Sequence, residues 1–145
     1  LAFMRVLFPS RTPHSLCAAV LTDAGDAPDL THGAMIRCTF RALAAGSAII
    51  FRAGPGVGTI PRPGLPLPPG EPAINPTPRA MIRTALTQAN NALPPDPEVT
   101  ISIDNGQELA LHTLHGRFCI LGGLSILGPT GISIPFLCSA FLESI

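Results

Sequence analysis

Polar and apolar positions alternate most clearly over Ala34–Leu43 (AMIRCTFRAL), where Met35, Arg37, Thr39 and Arg41 interleave with Ile36, Cys38 and Phe40. A period of two predicts a half-buried strand. Short apolar or β-branched runs predict further strands near residues 2–8, 16–21, 48–51, 99–103 and 118–121, with turn-forming Pro9–Pro13 between the first two. One stretch changes period. Ile82, Ala85, Leu86, Ala89 and Leu93 form a helical stripe, which predicts a helix over 78–93. Thr77 is its expected N-cap, Pro78 its first helical residue and Pro94-Pro95 its stop. Asn105 can cap a short helix, Gly106–His112, and Cys138–Ile145 starts another. Several strands with one longer and one short helix predict an α+β two-layer sandwich, a mixed or antiparallel sheet with both helices on a face. Residues 1–145 are read as a single domain.

Between the fourth strand and the long helix lies Gly54–Pro78, GPGVGTIPRPGLPLPPGEPAINPTP, with nine prolines and five glycines. Such a segment can be neither helix interior nor central strand. Proline-rich composition by itself would suit a linker. Val57, Ile60, Leu65, Leu67 and Ile74 recur as apolar anchors, however, and the segment runs straight into a helix start. Those features predict a loop of specified turns that serves a site.

Charge changes the picture next. Only 12% of residues are charged, the net charge is zero, and all nine basic residues are arginine. A neutral chain has no electrostatic footprint for nucleic acid or an anionic membrane. Phe118–Leu142 carries no charge, but Gly122, Gly123, Gly128, Pro129, Gly131 and Pro135 interrupt it, which speaks against a membrane span. Cys17, Cys38, Cys119 and Cys138 lie far apart with no CxxC pair, as expected of buried thiols rather than disulfides. Leu1 opens in a strand-like run and Ile145 closes in a helix-like one, so the chain reads as a piece of a longer protein.

Candidate chemistry gathers in three places. Leu21–Gly33 (LTDAGDAPDLTHG) holds Asp23, Asp26, Asp29 and His32 in one loop, where they supply a general base or orient one, or else close Asx-turns. Gly54, Gly56 and Gly58 follow a strand, yet Thr59 and Pro55 break a dinucleotide fingerprint. Gly122, Gly123, Gly128 and Gly131 form a second glycine-rich loop that permits close backbone approach. Arg52, Arg62, Arg79 and Arg83 face one acid, Glu71, across Arg52–Arg83, and cations in a first helical turn oppose the helix dipole. An anionic ligand would account for them. Glu71 and Asn75 are the polar side chains between Arg62 and Thr77. His112 and His115 lack a second ligand cluster, so no metal site is expected.

Three ordered segments carry a family resemblance. Gly56–Ile82 (GVGTIPRPGLPLPPGEPAINPTPRAMI) resembles the hallmark stretch of the cobalt-precorrin-5B C(1)-methyltransferases, the CbiD family. Asp23–Gly33 resembles its acidic loop, and Gly122–Ile145 its glycine-rich turn and following helix. The resemblance implies a cytoplasmic enzyme of cobalamin biosynthesis by the anaerobic route. It would transfer methyl from S-adenosylmethionine to C-1 of a cobalt-precorrin tetrapyrrole, with the cobalt held by the macrocycle. It also implies that the family's N-terminal motif and C-terminal half lie outside this chain. The substrate's acetate and propionate groups suit Arg52, Arg62, Arg79 and Arg83, because a guanidinium pairs with carboxylate in a planar, bidentate way. Asp23, Asp26, Asp29 and His32 are the candidate catalytic groups, and Glu71 and Asn75 further candidate substrate contacts. Neither nucleic acid nor membrane is an expected partner, and a homo-oligomer is left open. The alternative is an inactive fragment or a proline-rich binding module.

Overall fold

The computed structural model describes residues 6–23, 30–44, 46–63, 67–89, 96–112 and 120–126. Among them a mixed five-stranded sheet runs in the order β1-β2-β3-β6-β4. Its strands are β1 (Val6–Arg11), β2 (Ser15–Leu21), β3 (Met35–Ala42), β4 (Ile50–Ala53) and β6 (Pro97–Ile103). A separate parallel pair joins β5 (Gly56–Val57) to β7 (Gly123–Leu124). Two helices complete the fold, α1 (Pro76–Gln88) and α2 (Gly106–Leu111). The α+β class and mixed sheet expected from the sequence are what the chain adopts. The predicted helix at Cys138–Ile145 lies outside the described residues.

Strand β6 is the centre of the sheet's packing. Pro97, Val99, Ile101 and Ile103 are buried while Glu98, Thr100 and Ser102 between them are half-buried, so one face is core and the other polar. Register carries that division across the sheet. Ile36 pairs with Ile103, Cys38 with Ile101 and Phe40 with Val99 on the antiparallel side, and Phe51 pairs with Val99 on the parallel side. Onto this face pack Ile82 and Leu86 of α1, Leu109 and Ala110 of α2, and Val57 and Leu124 of the small parallel pair. Arg37, Thr39 and Arg41 of β3 take the opposite face, with Arg52 of β4.

Two boundaries differ from expectation for reasons of proline chemistry. Strand β1 continues through Pro9 to Arg11 instead of turning there, with a register shift between Leu7 and Ser10. It is an edge strand, where proline need not donate to a neighbour and a bulge absorbs it. Helix α1 starts at Pro76 with Asn75, not Thr77, as its N-cap. Asn75 sits at φ −63°, ψ 159°, the extended conformation favoured before proline. Pro78 is then tolerated one turn in, because the first amides of a helix have no carbonyl partner. A third boundary differs without proline: strand β4 starts at Ile50 instead of residue 48, where Ala48 has φ 60°.

The Gly/Pro stretch folds back on itself and is wired to residues 120–126. Gly58 N–H donates to the Leu124 carbonyl, Thr59 N–H to Leu121, Asn75 N–H to Ile126 and Ile126 N–H to Ala73, at 2.8–3.0 Å. Within the stretch, Ile60 N–H reaches Glu71 at 3.0 Å and Ala73 N–H reaches Gly58 at 2.8 Å. Val57, Ile60, Ala73 and Ile74 are buried, so the apolar anchors seal the layer below the sheet. Beneath them Gly56, at φ +81°, meets Gly106 and Gly123 backbone to backbone. A Cβ on Gly56 would lie 2.0 Å from the Ile103 carbonyl, and one on Gly106 or Gly123 would lie 2.3 Å from the Gly56 carbonyl.

Gly56→Ala is therefore expected to cost roughly 1–3 kcal/mol or more, read as a lower urea midpoint. Burial, with a smaller contribution from Cys17, pushes the Cys38 thiol up to about 12. A raised native pKa favours the protonated native state, so this contribution is intact below the unfolded thiol's range and fades as pH rises toward 12. Between those limits stability should fall by up to about 1.4 kcal/mol per pH unit, and Cys38→Ala should remove that part of the slope in denaturation measured across alkaline pH.

Candidate functional site

An open cleft of about 470 Å³ runs along β4 and the Gly/Pro stretch, lined by Phe51, Arg52, Thr59, Glu71, Arg79 and Arg83 among others. Helix α1 brings Arg79 and Arg83 to it from successive turns, since i and i+4 share a helix face. Both guanidiniums lie 5.2 Å from the centroid of Phe51, a buried ring on the core face of β4. Cation–π attraction at that distance holds the two like charges over one aromatic surface.

The two arginines do different work. Arg79 is 13% exposed and donates from Nε to the Ile74 carbonyl (2.8 Å), from Nη1 to Glu71 Oε2 (2.8 Å) and from Nη2 to the Pro72 carbonyl (3.0 Å). It thereby ties the returning arm of the Gly/Pro stretch to α1. Fold stability accounts for Arg79 after all, despite its unfavourable place in the helix dipole. Arg83 is exposed and, among the described residues, its guanidinium meets only the Phe51 ring. On the other side of β4, Glu98 lies between Arg41 and Arg52, at 3.2 Å from each, and its side chain is 16% exposed.

Of the residues singled out in the sequence, Arg52, Glu71, Arg79 and Arg83 thus meet in one cleft. Arg62 and Asn75 do not line it; Arg62 is exposed and Asn75 starts α1. Asp23 and His32 come together at 3.9 Å, both largely exposed, on the loop between β2 and β3. Thr22 closes that loop through backbone bonds with Gly33 and Ala34, and its hydroxyl donates to the Thr31 carbonyl. Asp23 and His32 line neither cleft described here, and Asp26 and Asp29 lie outside the described residues. Gly54, Gly56, Gly58 and Gly123 serve close packing, whereas a Cβ on Gly122 would meet nothing within 4 Å. Gly128 and Gly131 lie outside the described residues. Among the described residues no group of His, Cys, Asp and Glu is arranged to hold a metal ion, and no helix is long and apolar enough to cross a membrane.

A second cleft of about 500 Å³ went unread in the sequence. It is lined by Arg37, Pro55, Ser102, Asp104, Asn105 and Gln107, with glycine backbone at Gly56 and Gly106. Arg37 Nε donates to Asp104 Oδ1 at 3.0 Å and Nη2 to Oδ2 at 2.8 Å. The Arg37 hydrogen bond holds the Asp104 carboxyl below its usual range, and Asp104 in turn raises Arg37, so both stay charged at neutral pH. The partners are 67 positions apart, and no local pattern announces them.

An α+β domain with an arginine-lined cleft beside a proline-rich wall is the class that fold and site define. The chain belongs to the CbiD family, whose pattern it matches over residues 4–135. It is 61% identical over 130 residues to a cobalt-precorrin-5B C(1)-methyltransferase of Agrobacterium fabrum, an alignment covering 88% of this chain and 34% of that protein. A protein of the same name from Pseudomonas paraeruginosa is 51% identical over 144 residues, covering 98% of this chain and 39% of its own length. The chain thus spans little more than a third of these relatives. Among solved structures, the cobalamin biosynthesis protein (cbiD) of Archaeoglobus fulgidus is similar with TM-score 0.60 and 26% identity, over 90% of this chain and 41% of that one.

Removing Arg79 would strand three acceptors at once. Arg79→Met should cost roughly 2–4 kcal/mol in denaturant unfolding, while Arg83→Ala should leave stability within about 0.5 kcal/mol.

Proposed function

We propose that this chain forms the tetrapyrrole-binding wall of a cytoplasmic S-adenosylmethionine-dependent methyltransferase that methylates C-1 of cobalt-precorrin-5B on the anaerobic route to cobalamin. The observation that supports it most is the exposed guanidinium of Arg83, without an ion-pair partner among the described residues, over the Phe51 ring in a cleft beside the family's proline-rich stretch. A macrocycle fringed with carboxylates needs cations at its rim and a firm apolar surface at its edge. Arg83 supplies such a cation, while Arg52 is held by Glu98 on the other side of β4, and a guanidinium fork matches a carboxylate in plane. Arg79 keeps the wall in place, leaving Arg83 to the ligand.

The sulfonium donor supplies an already activated methyl group, so the chain's task is alignment and exclusion of water. The arginine cleft does not fit that donor, because its carboxylate Glu71 is taken by Arg79 and neighbouring Glu98 by Arg41 and Arg52. A cationic surface would repel a sulfonium. The chain's contribution there is to seat the tetrapyrrole by its carboxylates and to hold the ring plane still.

Cobyrinic acid, a cobalt macrocycle with free carboxylates, serves as the probe in a visible-absorbance titration. Its affinity should fall as salt rises. Arg83→Ala should weaken it roughly three- to tenfold. Equal binding by the fully esterified macrocycle, or no effect of Arg83→Ala, would contradict the proposal.

A further inference from the structure

The arginine cleft is lined by Ile49, Ile50, Phe51, Arg52 and Ala53 without a gap. Successive side chains of a strand point to opposite faces, so consecutive residues line one cleft only along the strand's edge. β4 is the last strand of the sheet, bound to β6 on one side. The cleft therefore runs along its open side.

Main-chain directions follow from the pairing. Gly54 N–H donates to the Ile101 carbonyl at 2.7 Å, toward β6. Backbone groups change sides at every residue of a strand, so Arg52 also faces β6, and Phe51 and Ala53 turn their N–H and C=O groups outward. Among the described residues no hydrogen bond occupies these outward groups. Donors and acceptors thus stand in a row, with a repeat of about 6.6 Å. A carboxylate satisfies only the donors. An extended polypeptide satisfies donors and acceptors in the same alternation, which is how a strand adds to a sheet edge.

The other edge of the sheet is guarded and this one is not. β1 carries Pro9 and a register shift between Leu7 and Ser10, both of which discourage pairing. β4 (IFRA) has neither a proline nor a register shift. Charge also selects the partner. Arg52 is held by Glu98 and Arg79 by Glu71, which leaves Arg83 over the Phe51 ring without an ion-pair partner among the described residues. An acidic side chain on the α1 side of an added strand would meet it. Glu71, Pro72 and α1 line the cleft beside the edge, so a bare strand enters more readily than the sheet of a second copy, which brings its own packed layer.

We infer that the open edge of β4 takes an extended acidic segment of a partner polypeptide as a sixth strand, with its carboxylates reaching Arg83. Because Arg83 is also the cation proposed for the macrocycle, a seated strand would keep a tetrapyrrole out and so regulate the cleft. Fluorescence anisotropy of fluorescein-labelled Thr-Glu-Thr-Glu-Thr-amide provides the test, beside one version N-methylated at every residue and one with lysine for glutamate. The acidic peptide should bind at sub-millimolar concentration, and the lysine peptide should not bind. N-methylation keeps the charge but removes the amide donors, and should weaken binding roughly tenfold or more. Arg83→Ala should weaken the acidic peptide roughly three- to tenfold. Ala53→Pro should weaken it with the circular dichroism spectrum unchanged, since that amide faces away from β6 and an edge strand tolerates proline there. The peptide comparison on the unaltered chain stays decisive if either variant fails to fold. Equal binding of the N-methylated peptide, no binding of the acidic peptide at millimolar concentration, or a dimer in sedimentation that Ala53→Pro dissolves would overturn the inference. The cobyrinic acid titration still decides the tetrapyrrole reading in each case.

Discussion

Gly56, Gly106 and Gly123 meet where no side chain fits, and the arrangement of both clefts depends on that contact. Gly56 belongs to the proline-rich stretch, Gly106 opens α2, and Gly123 belongs to the segment that pairs with β5. Three pieces distant in sequence are thereby brought to backbone contact directly below the end of β6. Apolar burial supplies the attraction, through Val57, Ile74 and Leu124 packed on Val99, Ile101 and Ile103. Glycine supplies the close approach, since a methyl group at any of these positions would force the segments apart.

Arg79 extends this logic to the outer arm of the stretch. Prolines remove donors and glycines remove side chains, so the arm has few means to hold itself. A buried guanidinium that donates to two carbonyls and a carboxylate substitutes for the missing regular structure. The Phe51 ring then carries Arg83 as well, so that the anchored Arg79 and an exposed guanidinium one turn on share a single aromatic surface. On the far side of Gly54, the Arg37–Asp104 pair gives the neighbouring cleft both signs of charge.

Much of the framework was legible because periodicity and burial coincide. The alternation over Ala34–Leu43 became β3, and the stripe of Ile82 and Leu86 became the buried side of α1. Boundaries at prolines were less legible, because the same residue ends a central strand, sits harmlessly at an edge, or opens a helix. Pro9 and Pro76 are the cases in point, and only sheet order and the extended Asn75 decide them. Charge imbalance located the arginine cleft but could not separate the anchoring Arg79 from the outward Arg83, since that depends on carbonyls at Ile74 and Pro72. Nothing local joins Arg37 to Asp104 or Glu98 to Arg41 and Arg52. Those pairs exist through strand register, and with them the second cleft stayed hidden.

Hydrogen bonds and buried anchors make the proline-rich stretch a fixed wall and not a linker. Amide hydrogen exchange at Val57, Gly58, Ile60, Ala73 and Ile74 tests it most directly. Each of these amides donates to a backbone carbonyl, to Gly54, Leu124, Glu71, Gly58 and Pro72 respectively. Slow exchange is expected, comparable to that of β6 and set by opening of the whole domain. Exchange at the rate of an unstructured peptide across these residues would contradict it.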